Sequence, residues 1–264
     1  MINKFNTQKL GSLFNSNKDF RYVVIDDFFE GDVANYLADH FPRMNEMPTL
    51  FKEPMSYKGQ LSDIKKYWPK FNKHFNYLQS QKFRSLISKI TGIPDLIQDD
   101  LLAGAGLHQS PKSGFLDIHV DANKHPFDKS LHRRINIIIY LNKNWKKKYG
   151  GAIELWKDKN LKPGQLIEKI SPAFNRAEIF ATTRKSWHGV EKINCPNSIS
   201  RKSIALYYYT KDRPIDELYD DSSVIWHGKS LLKKILYPLL NFIIKILKPY
   251  ARKFKRNVFD AAKK

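Results

Sequence analysis

The chain has 264 residues, of which 42% are hydrophobic and 27% are charged, so it can bury a sizeable core and is not disordered throughout. This length suits one catalytic-sized domain with an appendage. The formal net charge is +20, but from Trp226 to Lys264 there are 11 Lys and Arg against one acid, so half of the excess lies in a short tail. This distribution predicts a mildly basic domain with a basic C-terminal arm, and it argues against a uniformly nucleic-acid-binding body.

The cysteine content and the N-terminal residues indicate the cellular location of the protein. The single cysteine, Cys195, cannot form an internal disulfide, and there is no cysteine cluster for zinc. The first twenty residues lack the continuous apolar core of a signal peptide. Both features predict a cytoplasmic protein.

Residues 1–100 are predicted to be mostly helical. Tyr22–Ile25 has the composition of a short buried strand, and a helix is expected after Asp32. A second helical pattern covers residues 71–93 and is closed by Gly92 and Pro94.

Residues 101–212 change to short β-rich runs separated by turn residues. Roughly eight such runs suit a two-sheet jelly roll or barrel, with the N-terminal helices packed on one sheet. The predicted class is therefore α+β, with one domain over residues 1–220 and a tail over residues 221–264.

The tail predicts a basic amphipathic helix. Its apolar residues recur at helical intervals and its polar residues group on the opposite side. The apolar set is Leu232, Leu236, Leu239, Ile243, Ile246 and Tyr250, and the polar set is Lys234, Asn241, Lys245, Lys248 and Arg252. Pro238 and the lysines make it a poor transmembrane span. Two interpretations stay open: a helix that packs on the domain or dimerises, and peripheral contact with an anionic membrane surface through residues 231–256.

The stretch FLDIHVD places His119 and Asp121 on the same face of a predicted strand. A histidine nitrogen and a carboxylate oxygen are two of the three ligands in a facial triad for iron(II). The best candidate for the third is His188, which lies 67 residues later in a strand-like run, so the chain can return beside the first strand. The rivals are His108, His125 and His132, of which the last two look like loop residues.

Arg201 stands thirteen residues after His188, where a long apolar and aromatic strand begins. The forked guanidinium can bind a dicarboxylate in a way that lysine does not reproduce. Ser203 lies on the same face as Arg201. Lys202 is an alternative anchor, but strand alternation places it on the opposite face.

The HxD pair, the distal histidine and the Arg-x-Ser together resemble the iron(II)- and 2-oxoglutarate-dependent oxygenases, in their prolyl 4-hydroxylase-like branch. The likeness extends in order through YVVIDDFF, GLHQ, HRRINIIIYLN, GGAIELW, FNRAEIFATT, WHGV and RKSIALYYYT, over roughly residues 20 to 212. It implies a double-stranded β-helix as the core. The spacing from the distal histidine to the arginine is slightly longer than in the animal prolyl hydroxylases, so the register is less secure than the role.

The resemblance implies a role for each matching residue. His119, Asp121 and His188 become the catalytic iron ligands, and Arg201 and Ser203 bind the distal carboxylate of 2-oxoglutarate. Further expected pocket residues are Tyr140, which offers a phenol to the co-substrate or is a core tyrosine; Asn136, on the same strand face; and His108 and Gln109, which line the pocket or belong to the core.

The implied activity is that of a dioxygenase that uses Fe(II), 2-oxoglutarate and O2, with ascorbate as a further reductant, and releases succinate and CO2. The expected substrate is a prolyl or other amino-acid side chain, free or peptidyl. One alternative is a glycan or lipid-linked intermediate at the inner membrane face, which the amphipathic tail favours. Another class is a basic nucleic-acid- or membrane-binding protein with a vestigial fold. Nucleic acid is disfavoured because the next arginine after Arg201 is Arg213, beyond the strand.

Overall fold

The computed structural model describes residues 1–218, 223–228, 232–233, 236–239 and 242–243. Most of the predicted amphipathic helix lies outside the described residues, so that helix and the boundary near residue 221 remain predictions. Within the described part of the chain, no helix is both long enough and apolar enough to cross a membrane.

Five α-helices lie within residues 1–100 and precede the jelly-roll core. The helices are α1 (Thr7–Ser16), α2 (Gly31–Asp39), α3 (Ile64–Tyr67), α4 (Asn72–Gln79) and α5 (Gln81–Thr91), and short 3-10 turns cover Met44–Glu46, Pro69–Phe71, Lys147–Tyr149 and Ile215–Glu217. The Ser80 side chain accepts a hydrogen bond from the Phe83 amide and caps α5. Gly92 ends that helix in the left-handed conformation, with φ of 70°, as the sequence predicted.

Twelve β-strands are present in the described residues. Three come from the first hundred residues: β1 (Tyr22–Ile25), β2 (Thr49–Glu53) and β3 (Ser56–Leu61). Eight form the predicted core: β4 (Gly106–Ser110), β5 (Phe115–Val120), β6 (His132–Tyr140), β7 (Ile153–Asp158), β8 (Pro163–Ile170), β9 (Ala177–Ala181), β10 (Trp187–Val190) and β11 (Arg201–Thr210). The last is β12 (Ile225–His227).

The strands form one curled antiparallel sheet with two halves. One half has the order β1-β9-β6-β11-β4, and the other has the order β5-β10-β7-β8. Strand β3 joins the halves because it pairs with both β4 and β5. The expected jelly-roll core with packed helices is confirmed, and its two inner faces enclose a cavity.

The eight predicted core strands are all present, but the description of the first hundred residues as mostly helical was incomplete. It missed α1 and the hairpin formed by β2 and β3. The strand β3 is short and polar, and its partners β4 and β5 lie some fifty residues later in the chain. Pairing at that sequence separation overrides a weak local preference.

Strand β6 shows how the core positions the site. Ile135, Ile137 and Ile139 are fully buried in the large cluster that also contains the helical residues Phe83 and Ile87. Because side chains alternate along a strand, Asn136, Ile138 and Tyr140 point to the opposite, inner face, as the sequence predicted. The helices therefore cover the outer face of this sheet and leave the inner face to the cavity.

Part of the predicted tail contacts the domain. Strand β12 pairs with β5, with Trp226 opposite His119 and the two rings 4.9 Å apart. Further along, Lys233 Nζ lies 2.7 Å from Asp117 Oδ2, and the buried Tyr237 donates to the same carboxylate. These contacts favour the interpretation in which the tail packs on the domain.

Asn175 supplies a test of the fold. Its side chain donates to the Phe29 carbonyl and accepts from the Phe29 amide, both at 2.8 Å and both buried. Asn175→Ala leaves the buried Phe29 amide unpaired and removes one of two side-chain hydrogen bonds to the Phe29 carbonyl, which Asn3 Nδ2 also contacts at 3.1 Å. We therefore expect a loss of about 1–3 kcal/mol in the free energy of unfolding, measured by urea titration.

The matched control for Asn175→Ala is Asn160→Ala. Both asparagines have positive φ, 59° and 53°, but Asn160 is exposed. The control therefore measures the backbone cost alone. An equal loss in the two variants would show that the paired hydrogen bonds of Asn175 do not stabilise the fold.

Candidate metal centre and co-substrate pocket

His119, Asp121 and His188 meet at one end of the cavity. His119 lies in β5 directly opposite His188 of β10, and Asp121 follows β5 on the same face as His119. The Nε2 atom of His119 lies 3.5 Å from Asp121 Oδ1, and that of His188 lies 3.7 Å from Oδ2. Each residue offers one ligand atom, these atoms all lie within 4.8 Å of one another, and all three side chains are buried. The strand pairing thus brings together residues that are 67 positions apart.

The protonation states suit a metal. The Nδ1 atoms of His119 and His188 lie 2.9 Å from the backbone carbonyls of Asp117 and Ser186, so Nδ1 is engaged with the backbone and Nε2, which faces Asp121, is the atom that can ligate a metal. Burial, followed by the neighbouring His119, lowers the pKa of His188 to about 4. Neutral imidazoles with inward lone pairs are what a divalent metal requires.

Asp121 is kept ionised although it is buried. Burial by itself raises the pKa of this carboxyl, but the Arg133 guanidinium and the two histidines lower it well below the ordinary value. Arg133 Nη1 lies 3.4 Å from Oδ1, and the guanidinium carbon of Arg133 lies 3.9 Å from the centre of the Tyr207 ring. Two neutral imidazoles and one carboxylate form a facial set that fits iron(II).

Asn136 orients the aspartate. Its Nδ2 donates to Asp121 Oδ2 at 2.5 Å, and its Oδ1 accepts from the Thr182 hydroxyl at 3.2 Å. The sequence predicted Asn136 as a pocket residue, and the structure shows that it acts on the metal-binding carboxylate.

Arg201 lies in the wall of the same cavity. Its Nε donates to the Gly151 carbonyl at 2.8 Å, and its guanidinium carbon lies 4.8 Å from the centre of the Tyr140 ring. Gly151 has φ of +75°, and a Cβ at this position would lie 3.2 Å from Arg201 Cδ, so this position favours glycine. The backbone at Gly151 therefore positions the arginine.

The remaining sequence candidates divide between the cavity and the surrounding structure. Ser203 and His108 line the cavity together with the three ligands and Arg201. Gln109 faces away and donates to the Ser200 hydroxyl at 2.6 Å, in keeping with its core interpretation. Lys202 points outward over the Phe41 ring, as alternation predicted. His125 and His132, the rival ligands, are absent from the residues that line the cavity.

Three further residues of this site were not found from the sequence. Lys58, from the unpredicted β3, lines the cavity, and burial lowers its pKa to about 8. Glu178 lies in β9 opposite Ile138 and is 1% exposed. Arg133 lies near the start of β6. The signal for Glu178 was an acid inside an otherwise apolar strand.

The fold and the site together define a metal-dependent enzyme with a cation-lined pocket for an acidic co-substrate. Residues 105–209 match the family model of the 2OG-Fe(II) oxygenase superfamily. The mouse (Mus musculus) protein named Prolyl 3-hydroxylase OGFOD1 is 27% identical over 191 residues, which is 71% of this chain and 31% of that protein. The chain thus spans about a third of the length of this curated relative.

Two solved structures also resemble the chain. A prolyl hydroxylase from Trichoplax adhaerens, in complex with a hypoxia inducible factor oxygen degradation domain peptide fragment, has a TM-score of 0.54 and 16% identity and covers 77% of this chain and 90% of its own. A Pseudomonas putida prolyl-4-hydroxylase has a TM-score of 0.49 and 16% identity and covers 75% of this chain and 97% of its own. The likeness to the Trichoplax adhaerens structure supports the same fold for this chain.

Residues 105–209 thus resemble the 2OG-Fe(II) oxygenase superfamily, and the likeness to a prolyl hydroxylase supports its prolyl hydroxylase-like branch. The His119, Asp121 and His188 set fits the Fe(II) that this superfamily uses. The assignment of individual roles to these residues remains a prediction.

Asn136→Ala tests the orientation of Asp121. Loss of the amide leaves one carboxylate oxygen free to rotate away, and we expect the affinity for Fe(II) to fall by about 10- to 100-fold. Anaerobic titration against a competing chelator measures this. The control is Asn142→Ala, which removes a buried amide bonded to backbone carbonyls elsewhere. Unchanged affinity in Asn136→Ala would contradict the assigned orientation.

Proposed function

We propose that this chain hydroxylates an unactivated C–H bond of a prolyl or other amino-acid side chain in a peptidyl substrate. The substrate C–H, O2 and 2-oxoglutarate give the C–OH product, succinate and CO2. The observation that carries the proposal is one cavity lined by a His-Asp-His set and by an inward-facing arginine.

Each part of the cavity has a role in this reaction. Bound iron would activate O2 against the C–H bond, which no side chain can do. Asp121 supplies a negative charge to the metal and stays ionised beside Arg133, while Asn136 fixes its orientation. Arg201 binds a carboxylate of the co-substrate by a charge-assisted pair.

Part of the cavity wall is apolar, which disfavours bulk water beside the polar groups. The walls carry apolar side chains between the polar groups, namely Leu116, Ile138, Ile153, Val190 and Ala205. A dry pocket strengthens the electrostatic contacts at both polar groups and limits side reactions.

The substrate class rests on likeness to relatives. The mouse relative is named a prolyl 3-hydroxylase, and the structure of the Trichoplax adhaerens prolyl hydroxylase contains a peptide fragment. Both facts favour a peptidyl prolyl substrate here. We also propose a cytoplasmic location, which the free Cys195 supports.

The direct test incubates the full chain with Fe(II), 2-oxoglutarate, ascorbate and a panel of proline-containing peptides. Mass spectrometry should detect a peptide that gains one oxygen atom, in step with succinate release. Asp121→Ala should abolish both. A peptide panel that gains no oxygen, while free proline or a glycan does, would overturn the peptidyl assignment.

Arg201→Ala tests the co-substrate anchor. Loss of a charge-assisted pair worth about 1.5–3 kcal/mol should raise the KM for 2-oxoglutarate by about 10- to 100-fold. Steady-state succinate assays measure this, and the exposed Arg184→Ala is the matched control. Arg201→Lys should recover only part of the affinity, because lysine lacks the planar fork. An unchanged KM in Arg201→Ala would place the anchor elsewhere.

A further inference from the structure

Three neighbouring buried side chains have polar atoms without a hydrogen-bond partner among the described residues. They are the hydroxyl of Tyr140, both carboxyl oxygens of Glu178 and Nη2 of Arg201. All three residues are at most 4% exposed. An unpaired buried polar group destabilises the fold, so three such side chains at one place indicate a ligand that pairs with them.

The three groups face one another across the inner side of the sheet. Glu178 pairs in register with Ile138, and Tyr140 lies two positions along the same face of β6. Tyr140 also lies opposite Ser203, two residues from Arg201. Burial raises the pKa of the Tyr140 phenol, and the side chains are near enough for Glu178 to add to that rise and for Arg201 to oppose it.

Glu178 is a neutral acid near pH 7. Burial raises the pKa of its carboxyl to about 8, and the opposing effects of Tyr140, Arg201 and Arg176 do not cancel this. Arg176 forms ion pairs with Asp26 at 2.6 and 3.0 Å, which engage its charge at the surface. A neutral carboxylic acid has one O–H to donate.

We propose that Glu178, in its neutral form, donates a hydrogen bond to the distal carboxylate of 2-oxoglutarate, together with the Tyr140 hydroxyl and the Arg201 guanidinium. The three unpaired groups then become three donors around a carboxylate, which accepts about four hydrogen bonds. An ionised Glu178 would instead repel that carboxylate. The inference rests on the proposed function only in taking 2-oxoglutarate as the co-substrate.

One other group in the cavity titrates in the same range. Lys58 has a pKa of about 8 because burial lowers it, with the positive charge of Arg201 acting in the same direction. Its deprotonation would also weaken the binding of a dianion as the pH rises. His108 also faces the cavity, but burial holds its pKa well below the ordinary value, so it stays neutral.

The test measures 2-oxoglutarate binding to the manganese(II)-loaded full chain by calorimetry between pH 6.5 and 9.5. Because the pKa of Glu178 is raised to about 8, the neutral carboxyl group that donates the hydrogen bond is present below about pH 8 and is lost above it. We therefore expect the affinity of the wild type to fall about tenfold from pH 7 to pH 9. Glu178→Gln keeps an N–H donor and cannot ionise, so it should bind as well as the wild type at pH 7 and show a clearly smaller fall by pH 9, the remaining fall being due to Lys58.

Two controls isolate the interaction. The exposed Glu168→Gln should retain the wild-type pH profile. The shorter 2-oxobutanoate lacks the distal carboxylate, so its binding should not depend on Glu178 at any pH.

The inference is overturned if Glu178→Gln keeps the tenfold fall while Lys58→Gln abolishes it, since Lys58 is then the titrating group. It is also overturned if wild-type affinity is constant over this range. Binding is measured without turnover, so failure to hydroxylate prolyl peptides would leave this result intact. If prolyl peptides are hydroxylated but the affinity for 2-oxoglutarate does not change with pH, the proposed role of Glu178 is refuted and the proposed function stands.

Discussion

The site depends on one buried carboxylate. Asp121 receives a hydrogen bond from Asn136 of β6, lies beside Arg133 of the same strand and faces histidines from β5 and β10. A buried charge is tolerated only when it is paired and hydrogen-bonded. These contacts satisfy Asp121 and at the same time connect the two halves of the curled sheet. The fold and the metal site are therefore maintained by the same interactions.

The co-substrate side of the cavity is built on a backbone constraint. Arg201 reaches its position because Gly151 adopts a positive φ and offers its carbonyl to Nε. This contact uses one guanidinium nitrogen and leaves Nη2 for a ligand. Between the metal ligands and Arg201 the walls are mainly apolar, so a molecule that bridges the two needs polar groups at its ends. A short 2-oxo dicarboxylic acid has this form.

The alternation of residues along single strands was sufficient to predict the positions of several site residues. Alternation in FLDIHVD and RINIIIYLN correctly put His119 with Asp121 and Asn136 with Tyr140 on inner faces, because each run is a single strand with one buried side. Lys58 escaped notice because β3 has a polar sequence and depends on partners distant in the chain. Glu178 escaped because sequence alone does not reveal which face of a strand buried on both sides meets the cavity.

Two buried carboxyl groups on the inner face of the sheet, Asp121 and Glu178, have opposite charge states for identifiable reasons. Asp121 has a guanidinium at 3.4 Å and two imidazoles, which outweigh burial, whereas burial dominates at Glu178 and raises its pKa to about 8. A divalent cation therefore prefers the Asp121 side, and a carboxylate ligand prefers the side where Glu178 is neutral and Arg201 is positive. Exchanging the two environments would attract the metal to the co-substrate pocket. The different environments of two acids on one inner surface thus determine which ligand binds at each place.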